Sequence, residues 1–354
     1  MTHSPVIDPS VSVPIFFTVV GVTALGFLLS TLIPLRRLDG LLAGSDPRLR
    51  LVLKAVRSGA WQPAADLLAA AGNDLERVAH YAKHLSYVAA DEGDAWVTAW
   101  QAARPDDSDA VLIAACTRVK RAWLLRGAQP ASATSPKQFA DFHHELRAAL
   151  GALERAACLR PDDPTPWAEK VAVARGLDFP HRAMAELWAE VEARSPYHFN
   201  AHLAALQYFC AKWCGSRTEV EEFAERASRS APRGHLLALL PLLAWYEEVD
   251  MRDKATGLFG TPEVVALVDA ALDDVAAAEA EATAEAEGHP NLPEARHLLA
   301  YFLVRQHRYR AALEQFRHVD GYTGAIPWRY LPWGRISYRL HRARAVWGAL
   351  LTRR

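Results

Sequence analysis

A long run without charged side chains near the amino terminus is the feature that most restricts how this chain can fold. No Asp, Glu, Lys or Arg occurs in residues 9–35, between Asp8 and Arg36. A helix needs about 20 apolar residues to cross roughly 30 Å of hydrocarbon. Residues 11–35, VSVPIFFTVVGVTALGFLLSTLIPL, meet that requirement, so the sequence predicts one transmembrane helix there.

Two other interpretations of residues 11–35 fit the sequence less well. A cleaved signal peptide begins with a basic segment and has a shorter apolar run, whereas residues 1–10 contain no Lys or Arg. A helix buried in a globular core normally carries a polar stripe, and here only Ser and Thr interrupt the apolar residues. The membrane interpretation is therefore preferred.

The charges that flank the span predict its orientation. Arg36, Arg37, Arg48, Arg50 and Lys54 follow it, whereas the preceding residues contain no cation. Segments rich in Lys and Arg stay on the cytoplasmic side of a membrane. We therefore expect a short extracytoplasmic amino terminus at residues 1–10 and a cytoplasmic body in a single-pass protein of the cell membrane. Residues 36–60 are interpreted as a juxtamembrane linker with a basic helix.

The composition favours an all-α body. Ala, Leu, Arg and Glu, which are good helix formers, are frequent, and alternating runs of Val, Ile and Thr are scarce. The formal net charge of −1 gives no general reason to expect nucleic-acid binding. The four cysteines lack the spacing of a disulfide framework, which fits a reducing compartment.

Prolines punctuate the body at a repeated interval. Pro161, Pro196 and Pro232 are 35 and 36 residues apart, and Pro105 precedes them by 56 residues, a distance that includes the Pro- and Ser-rich segment 127–138. A period near 34 residues in which Pro closes the second helix resembles the tetratricopeptide repeat. The resemblance covers about residues 61–320. It implies an α-solenoid of degenerate helical hairpins, each too small to bury its apolar face without its neighbours.

Particular residues carry this resemblance. Small and large apolar residues match positions of the two helices of the repeat in two units, and Met184 departs from the pattern because the family usually has Ala there. The matching residues are Ala149, Leu153 and Ala156 in one unit, and Leu299, Ala300, Leu303, Tyr309, Ala312 and Phe316 in the other. In this family the first helices line a concave surface that binds protein partners.

The segment KWCGS, residues 212–216, also resembles a turn found in bacterial helical-repeat proteins. We expect Gly215 to end a helix in the left-handed conformation. Ser216 or Thr218 is then expected to cap the next helix, with Glu221 completing a capping box for Thr218.

The end of the chain changes the sign of its charge. Pro262 is predicted to start an acidic helix that extends to about Gly288, and no acid follows Asp320. Residues 321–354 are interpreted as a basic aromatic helix with two alternative roles. It caps the solenoid, with arginines solvated or paired with the acidic helix, or it lies on anionic lipid through Arg335, Arg339, Arg342 and Trp347.

No pattern in the sequence predicts catalysis. His198 and His202, like Cys210 and Cys214, are four residues apart, but all four fall along one expected helix, where a single tetrahedral zinc site could not collect them. Phosphate-binding loops and nucleophile motifs are missing from the sequence. We therefore predict no catalytic residue, no metal ligand and no cofactor.

The sequence thus favours a membrane-tethered protein–protein interaction scaffold. Its expected partner is a protein or peptide, itself at the membrane. The residues expected to contact that partner are Lys170, Asn200, Gln207, Tyr208, Arg296 and Arg305. Two alternatives stay open: an enzyme or metal-binding protein built on the same scaffold, and a structural subunit of a membrane complex, whose span would pack through Gly26 and Ser30.

Overall fold

The computed structural model describes residues 38–129, 131–251, 257–281, 288–331 and 333–352. Within these ranges the chain forms fifteen α-helices and no β-sheet, which confirms the all-α prediction. The predicted segments 1–10 and 11–35 lie outside the described residues. None of the described helices has both the length and the apolar character that a membrane span requires.

The helices are numbered in chain order. They are α1 Pro47–Arg57, α2 Gln62–Ala71, α3 Leu75–Glu92, α4 Ala95–Ala103, α5 Ser108–Arg126, α6 Pro136–Leu159, α7 Thr165–Gly176, α8 His181–Arg194, α9 Phe199–Phe209, α10 Arg217–Ser230, α11 Leu240–Trp245, α12 Pro262–Glu281, α13 Leu292–Arg305, α14 Tyr309–His318 and α15 Gly334–Leu351. A π-helical turn, Tyr246–Asp250, continues α11.

Side chains at several helix starts satisfy backbone N–H groups that have no partner within the helix. The carboxylates of Asp46, Asp74 and Asp107 accept from backbone N–H groups in the first turns of α1, α3 and α5. Ser135 and Gln138 form a reciprocal capping box at α6. Such caps stabilise a helix by about 1 kcal/mol each, so the boundaries of these helices are encoded locally.

The turn between α9 and α10 differs from its sequence prediction. Gly215 does not have a positive φ; instead, a Cβ atom at this position would lie 2.1 Å from the Phe209 carbonyl oxygen. Glycine is needed there because the backbone passes close to the end of α9. The cap of α10 is Ser216, whose hydroxyl accepts from the Glu219 N–H, so Thr218 and Glu221 do not form the capping box.

Alternate helices form a row through the molecule. The row consists of α3, α5, α7, α9 and α11, and each of these helices packs against the next. Helix α6 packs against α5 and α7, α8 packs against α7, and α10 packs against α9 and α11. The apolar core is divided at α7. Val173 belongs to a cluster built from residues 42–156, whereas Val171 and Ala174 belong to a second cluster that extends to Ala345. Helix α7 thus joins two cores.

The first and last described segments meet, and we call this contact the closure. Its members are Asp39, Ala43, His297, Thr323 and Trp328. The Thr323 N–H donates to the Asp39 carbonyl at 2.7 Å. His297 Nε2 lies 2.8 Å from the Ala43 carbonyl oxygen, and the Trp328 indole N–H donates to His297 Nδ1 at 2.9 Å. The neutral tautomer with hydrogen on Nε2 satisfies both bonds.

The predicted basic aromatic helix 321–354 is shorter in the structure, where α15 starts at Gly334. Residues 321–331 form turns, and Trp328 among them is only 2% exposed. This indole lies inside the core because its N–H has a buried partner there. Among the described residues, the acidic helix α12 pairs with Arg296 and Arg308 and not with α15, and Arg342 of α15 pairs with Asp320.

Candidate functional site

A cavity of about 290 Å³ lies along the row of alternate helices. Residues of α3, α5, α7, α9 and α11 line it, and Leu41, Ile326, Arg329 and Tyr330 line it as well. No residue of α4, α6, α8 or α10 in the described chain contributes to its wall. Pockets that combine an apolar wall with a few polar groups are the usual form of ligand sites.

The spacing of residues on α7 and α9 explains why polar groups meet there. Thr165, Glu169, Ala172 and Arg175 follow one another at intervals of three or four on α7. On α9 the same spacing places Asn200, Leu203, Ala204 and Gln207 on one face. Residues three and four apart share a helix face, so each helix presents one mixed polar and apolar stripe to the cavity.

Two lysines that line the cavity are neutralised by carboxylates. Lys120 Nζ lies 2.6 Å from Glu169 Oε1, and Lys83 Nζ lies 2.5 Å from Glu294 Oε1. Burial raises the pKa of Glu294, but the attraction and hydrogen bond of Lys83, together with His80 and Arg329, outweigh it and leave this pKa below its ordinary value. These two pairs therefore add no net charge to the cavity.

Two arginines that line the cavity are not neutralised in this way. Within the described ranges, neither Arg175 nor Arg329 forms an ion pair with a carboxylate. Glu247 is near enough to Arg175 to raise its pKa slightly, but this carboxylate is held by Gln207 and Lys212. Burial has the larger effect and lowers the pKa of Arg175. The cavity is therefore electropositive.

Two aromatic rings contact Arg175. Its Cζ atom lies 4.2 Å from the centre of the Trp123 ring and 5.1 Å from that of Trp213. The two indoles contact each other edge to face, with centroids 5.4 Å apart. Such cation–π contacts use no N–H donor, and the Arg175 guanidinium has no hydrogen-bond acceptor among the described residues.

Several buried polar atoms of cavity residues have no hydrogen-bond partner among the described residues. They are His84 Nε2, Thr165 Oγ1, Glu169 Oε2, Arg175 Nε and Asn200 Nδ2. Burial lowers the pKa of His198 to about 4 and that of His84 well below its ordinary value, so both rings are neutral at pH 7. Buried polar groups are normally satisfied, so these atoms make the cavity a candidate binding site, although other unpaired buried atoms, such as Tyr246 Oη and His341 Nε2, lie elsewhere in the described chain.

The structure separates the six residues expected to contact a partner. Asn200 and Gln207 line the cavity. Lys170 lies over the Trp167 ring at 4.1 Å, and Arg305 lies over the Phe259 ring at 4.5 Å. Neither of these two belongs to the cavity wall.

Tyr208 and Arg296 lie inside the fold. The Tyr208 side chain is fully buried, and its hydroxyl donates to the Phe179 carbonyl at 2.5 Å. Arg296 is 4% exposed and donates to Gln315 Oε1 at 3.1 Å. Both side chains are therefore used within the protein.

Sequence reasoning missed Arg175, Arg329, Lys120 and Glu169. Arg329 was counted with the basic tail, although it follows the buried Trp328. Arg175 shares the α7 face with Glu169, and that spacing is visible in the sequence. Its stacking on two distant indoles, however, is not.

The His and Cys pairs do not form a metal centre. His198 caps α9, His202 lies within it, and Cys210 follows its last residue. Cys214 lies beyond the helix, where its thiol contacts the Arg175 carbonyl. The described residues contain no group of three or more His, Cys, Asp or Glu side chains that could hold a metal ion.

The proposed lipid-contacting residues differ in exposure. Arg335 and Arg339 are exposed on α15, whereas Arg342 pairs with Asp320 at 2.7 Å and Trp347 is half-buried. Trp333, Ile336 and Leu340 are also exposed, at 79%, 50% and 41%. The first half of α15 therefore presents apolar and cationic side chains together.

This chain has no match among protein-family models, curated proteins or solved structures.

Proposed function

We propose that this chain is a membrane-tethered helical-repeat binding module, with a cytoplasmic body that holds part of a protein or peptide partner in its cavity. The observation that carries the proposal is the use of alternate helices, α3 to α11, as the cavity wall. This arrangement supports the tetratricopeptide-like interpretation, in which every second helix faces the concave side. Recognition of this kind requires no catalytic group.

The size of the cavity restricts what part of a partner enters it. Its volume of about 290 Å³ is near the lower end for ligand pockets. It admits a chain end or a few side chains rather than a folded domain. The proposed module therefore holds a short segment of its partner.

Photo-crosslinking from the cavity tests this proposal. Tyr330, which is 42% exposed and lines the cavity, is replaced by p-benzoylphenylalanine in the full chain in native membranes. We expect a discrete protein adduct from this position. The control position is Arg182, on α8, whose side chain is 91% exposed and outside the cavity. Equal adducts from both positions, or none from position 330, would contradict the proposal.

The tether and its orientation are also part of the proposal. Residues 11–35 supply the span, and the body follows it on the cytoplasmic side because the cations follow the span. Proteolysis of intact spheroplasts is expected to leave the body uncut, and lysis is expected to expose it. Digestion of the body from outside would reverse the orientation.

Helix α15 is proposed to rest on the same membrane. An added Cβ at Gly40 would meet Arg335 at 3.0 Å, so the start of α15 lies beside residue 40, five residues after the predicted span ends. Exposed Trp333, Ile336 and Leu340 and the cations Arg335 and Arg339 suit the interface of an anionic bilayer.

A spin label in the full chain tests the placement of α15. Attached at position 340 in nanodiscs containing anionic lipid, it should show higher accessibility to oxygen than to a soluble nickel complex. A label at position 182 should show the reverse. If the labels at both positions respond alike, the proposed contact of α15 with the membrane is wrong.

A further inference from the structure

The cavity wall contains more positive charge than its own side chains neutralise. The pairs Lys120–Glu169 and Lys83–Glu294 cancel internally. Arg175 and Arg329 are left without a carboxylate partner among the described residues. An ion pair in a partly buried site is much less screened than one in water. A ligand with negative charge would supply what the wall lacks.

The unpaired donors that line the cavity suit an oxyanion in chemistry as well as in charge. The Arg175 Cζ atom lies over the Trp123 and Trp213 rings, and its guanidinium has no hydrogen-bond acceptor among the described residues. The Asn200 amide nitrogen, on the next helix of the row, is likewise unpaired in the described chain. Guanidinium N–H groups bind carboxylate and phosphate oxygens in a bidentate fork.

The rest of the wall is apolar. Leu203, Leu206, Leu243 and Ile326 line the cavity beside these donors. Such a wall binds the body of a ligand through apolar burial, while the arginines bind its head. A bare inorganic ion would use only part of this surface.

We infer that the cavity binds the carboxylate or phosphate group of a small or chain-terminal ligand with an apolar body, through Arg175, Arg329 and Asn200. This inference rests on the proposed function, because it assigns the chemistry of the segment that enters the cavity. The same head group occurs on the carboxyl terminus of a peptide and on a free organic acid, so the experiment compares these two sources.

Calorimetry on the full chain in a nonionic detergent measures the binding. The probes are hexanoate, inorganic phosphate and the tripeptide acetyl-Ala-Leu-Ala with a free carboxylate. The neutral controls are hexanamide and the same tripeptide with a carboxamide end. We expect hexanoate or the free tripeptide to bind at least about tenfold more tightly than its neutral control, a difference of about 1.4 kcal/mol. The tighter of the two identifies the source.

Variants connect the binding to the cavity. Arg175→Gln and Arg329→Gln are each expected to weaken the anionic probe about tenfold. Arg329 is exposed, so its variant stays folded even if the Arg175 variant does not. The matched control is Arg104→Gln, since Arg104 lies over the Trp61 ring at 5.0 Å and outside the cavity. It should bind as the unchanged chain does.

Three results would overturn the inference. They are equal affinity for charged and neutral probes, no binding of any anionic probe, and unchanged affinity in Arg329→Gln. Binding of phosphate alone, unaffected by either cavity variant, would show an adventitious ion only. If position 330 forms adducts but any of these results is found, the proposed function stands and the inference of an anionic ligand is wrong. If the anionic probes bind but position 330 forms no protein adduct, the inference of an anionic ligand stands, and that ligand is a small molecule.

Discussion

The closure and the cavity wall both bury polar groups, but the two regions differ in how far these groups are satisfied. At the closure, His297 is bonded on both nitrogens and the Trp328 indole N–H has a buried acceptor. In the cavity, Arg175, Asn200 and His84 each keep a polar atom without a partner in the described chain. Buried donors left unpaired cost about 1–3 kcal/mol each. The closure therefore contributes to stability, whereas the unpaired atoms of the wall cost stability, as we expect of the binding site proposed above.

Acid should produce the largest loss of stability, because neutral imidazoles are buried in both regions. Burial lowers the pKa of His297 at the closure and of His198 at the wall to about 4. The unfolded chain, with ordinary histidine pKa values near 6.5, binds more protons between pH 6.5 and 4. Stability is therefore full above pH 6.5 and falls as the pH drops, by up to about 1.4 kcal/mol per pH unit for each such histidine.

Three carboxyl groups act in the opposite direction. Burial raises the pKa of Glu76, Asp109 and Asp250, so the folded state binds their protons first. Histidines whose pKa is lowered to about 4 are more numerous than these carboxyl groups. They are His80, His198, His202, His297 and His341. Urea unfolding at pH 7.5, 6.0 and 5.0 should show a steady decrease in unfolding free energy. A stability that does not change over this range would contradict the buried neutral rings.

Removing a core indole from the closure should have the next largest effect. Trp328 is 2% exposed and contacts the rings of Tyr338 and Phe316, besides its bond to His297. Trp328→Ala is expected to lower the unfolding free energy by about 3–5 kcal/mol. The control is Trp333→Ala, five residues later and 79% exposed, with an expected change within about 0.5 kcal/mol. Similar losses in both variants would mean that Trp328 is not a core residue.

The pair Lys83–Glu294 belongs to both regions, since Lys83 lines the cavity and Glu294 is on α13, which carries His297. Their side chains are 25% and 15% exposed. Lys83→Met leaves a mostly buried carboxylate without its cation, so we expect a loss of about 2 kcal/mol in urea unfolding. Lys137→Met, which breaks an exposed pair with Asp141, should change stability by less than about 0.5 kcal/mol. Equal changes would place Lys83 in solvent.

The sequence predicted what local chemistry determines. Pro262 starts α12, Ser216 caps α10, and helix formers dominate an all-α chain, as expected from residues next to each other. The closure could not be predicted in this way, because Asp39 and Thr323 are 284 residues apart and no local pattern joins them. Trp328 was interpreted as part of an amphipathic tail, since only the position of His297 shows that this indole points inward.

The residues of the candidate site show the same difference between what local sequence and what distant contacts determine. Asn200 and Gln207, which line the cavity, were chosen because the resemblance to the tetratricopeptide repeat implies that first-helix residues face the concave side. Tyr208, one residue further, is buried, and one residue on a helix turns the side chain by about 100°. Arg175 was missed because its role depends on Trp123 and Trp213, which belong to segments far apart in the sequence.

The smallest expected change in stability is at Arg175, and it separates the two regions most clearly. Arg175→Met keeps the length of the side chain and its packing on two indoles, and it removes a charge that no described carboxylate neutralises. Replacing a buried, poorly compensated charge by an apolar side chain is often neutral or stabilising. The unfolding free energy should therefore change by less than about 1 kcal/mol, or rise, while affinity for the anionic probe falls. A loss of 3 kcal/mol or more, about that expected for Trp328→Ala, would show that Arg175 holds the fold together, and the contrast between a satisfied closure and an unsatisfied wall would then fail.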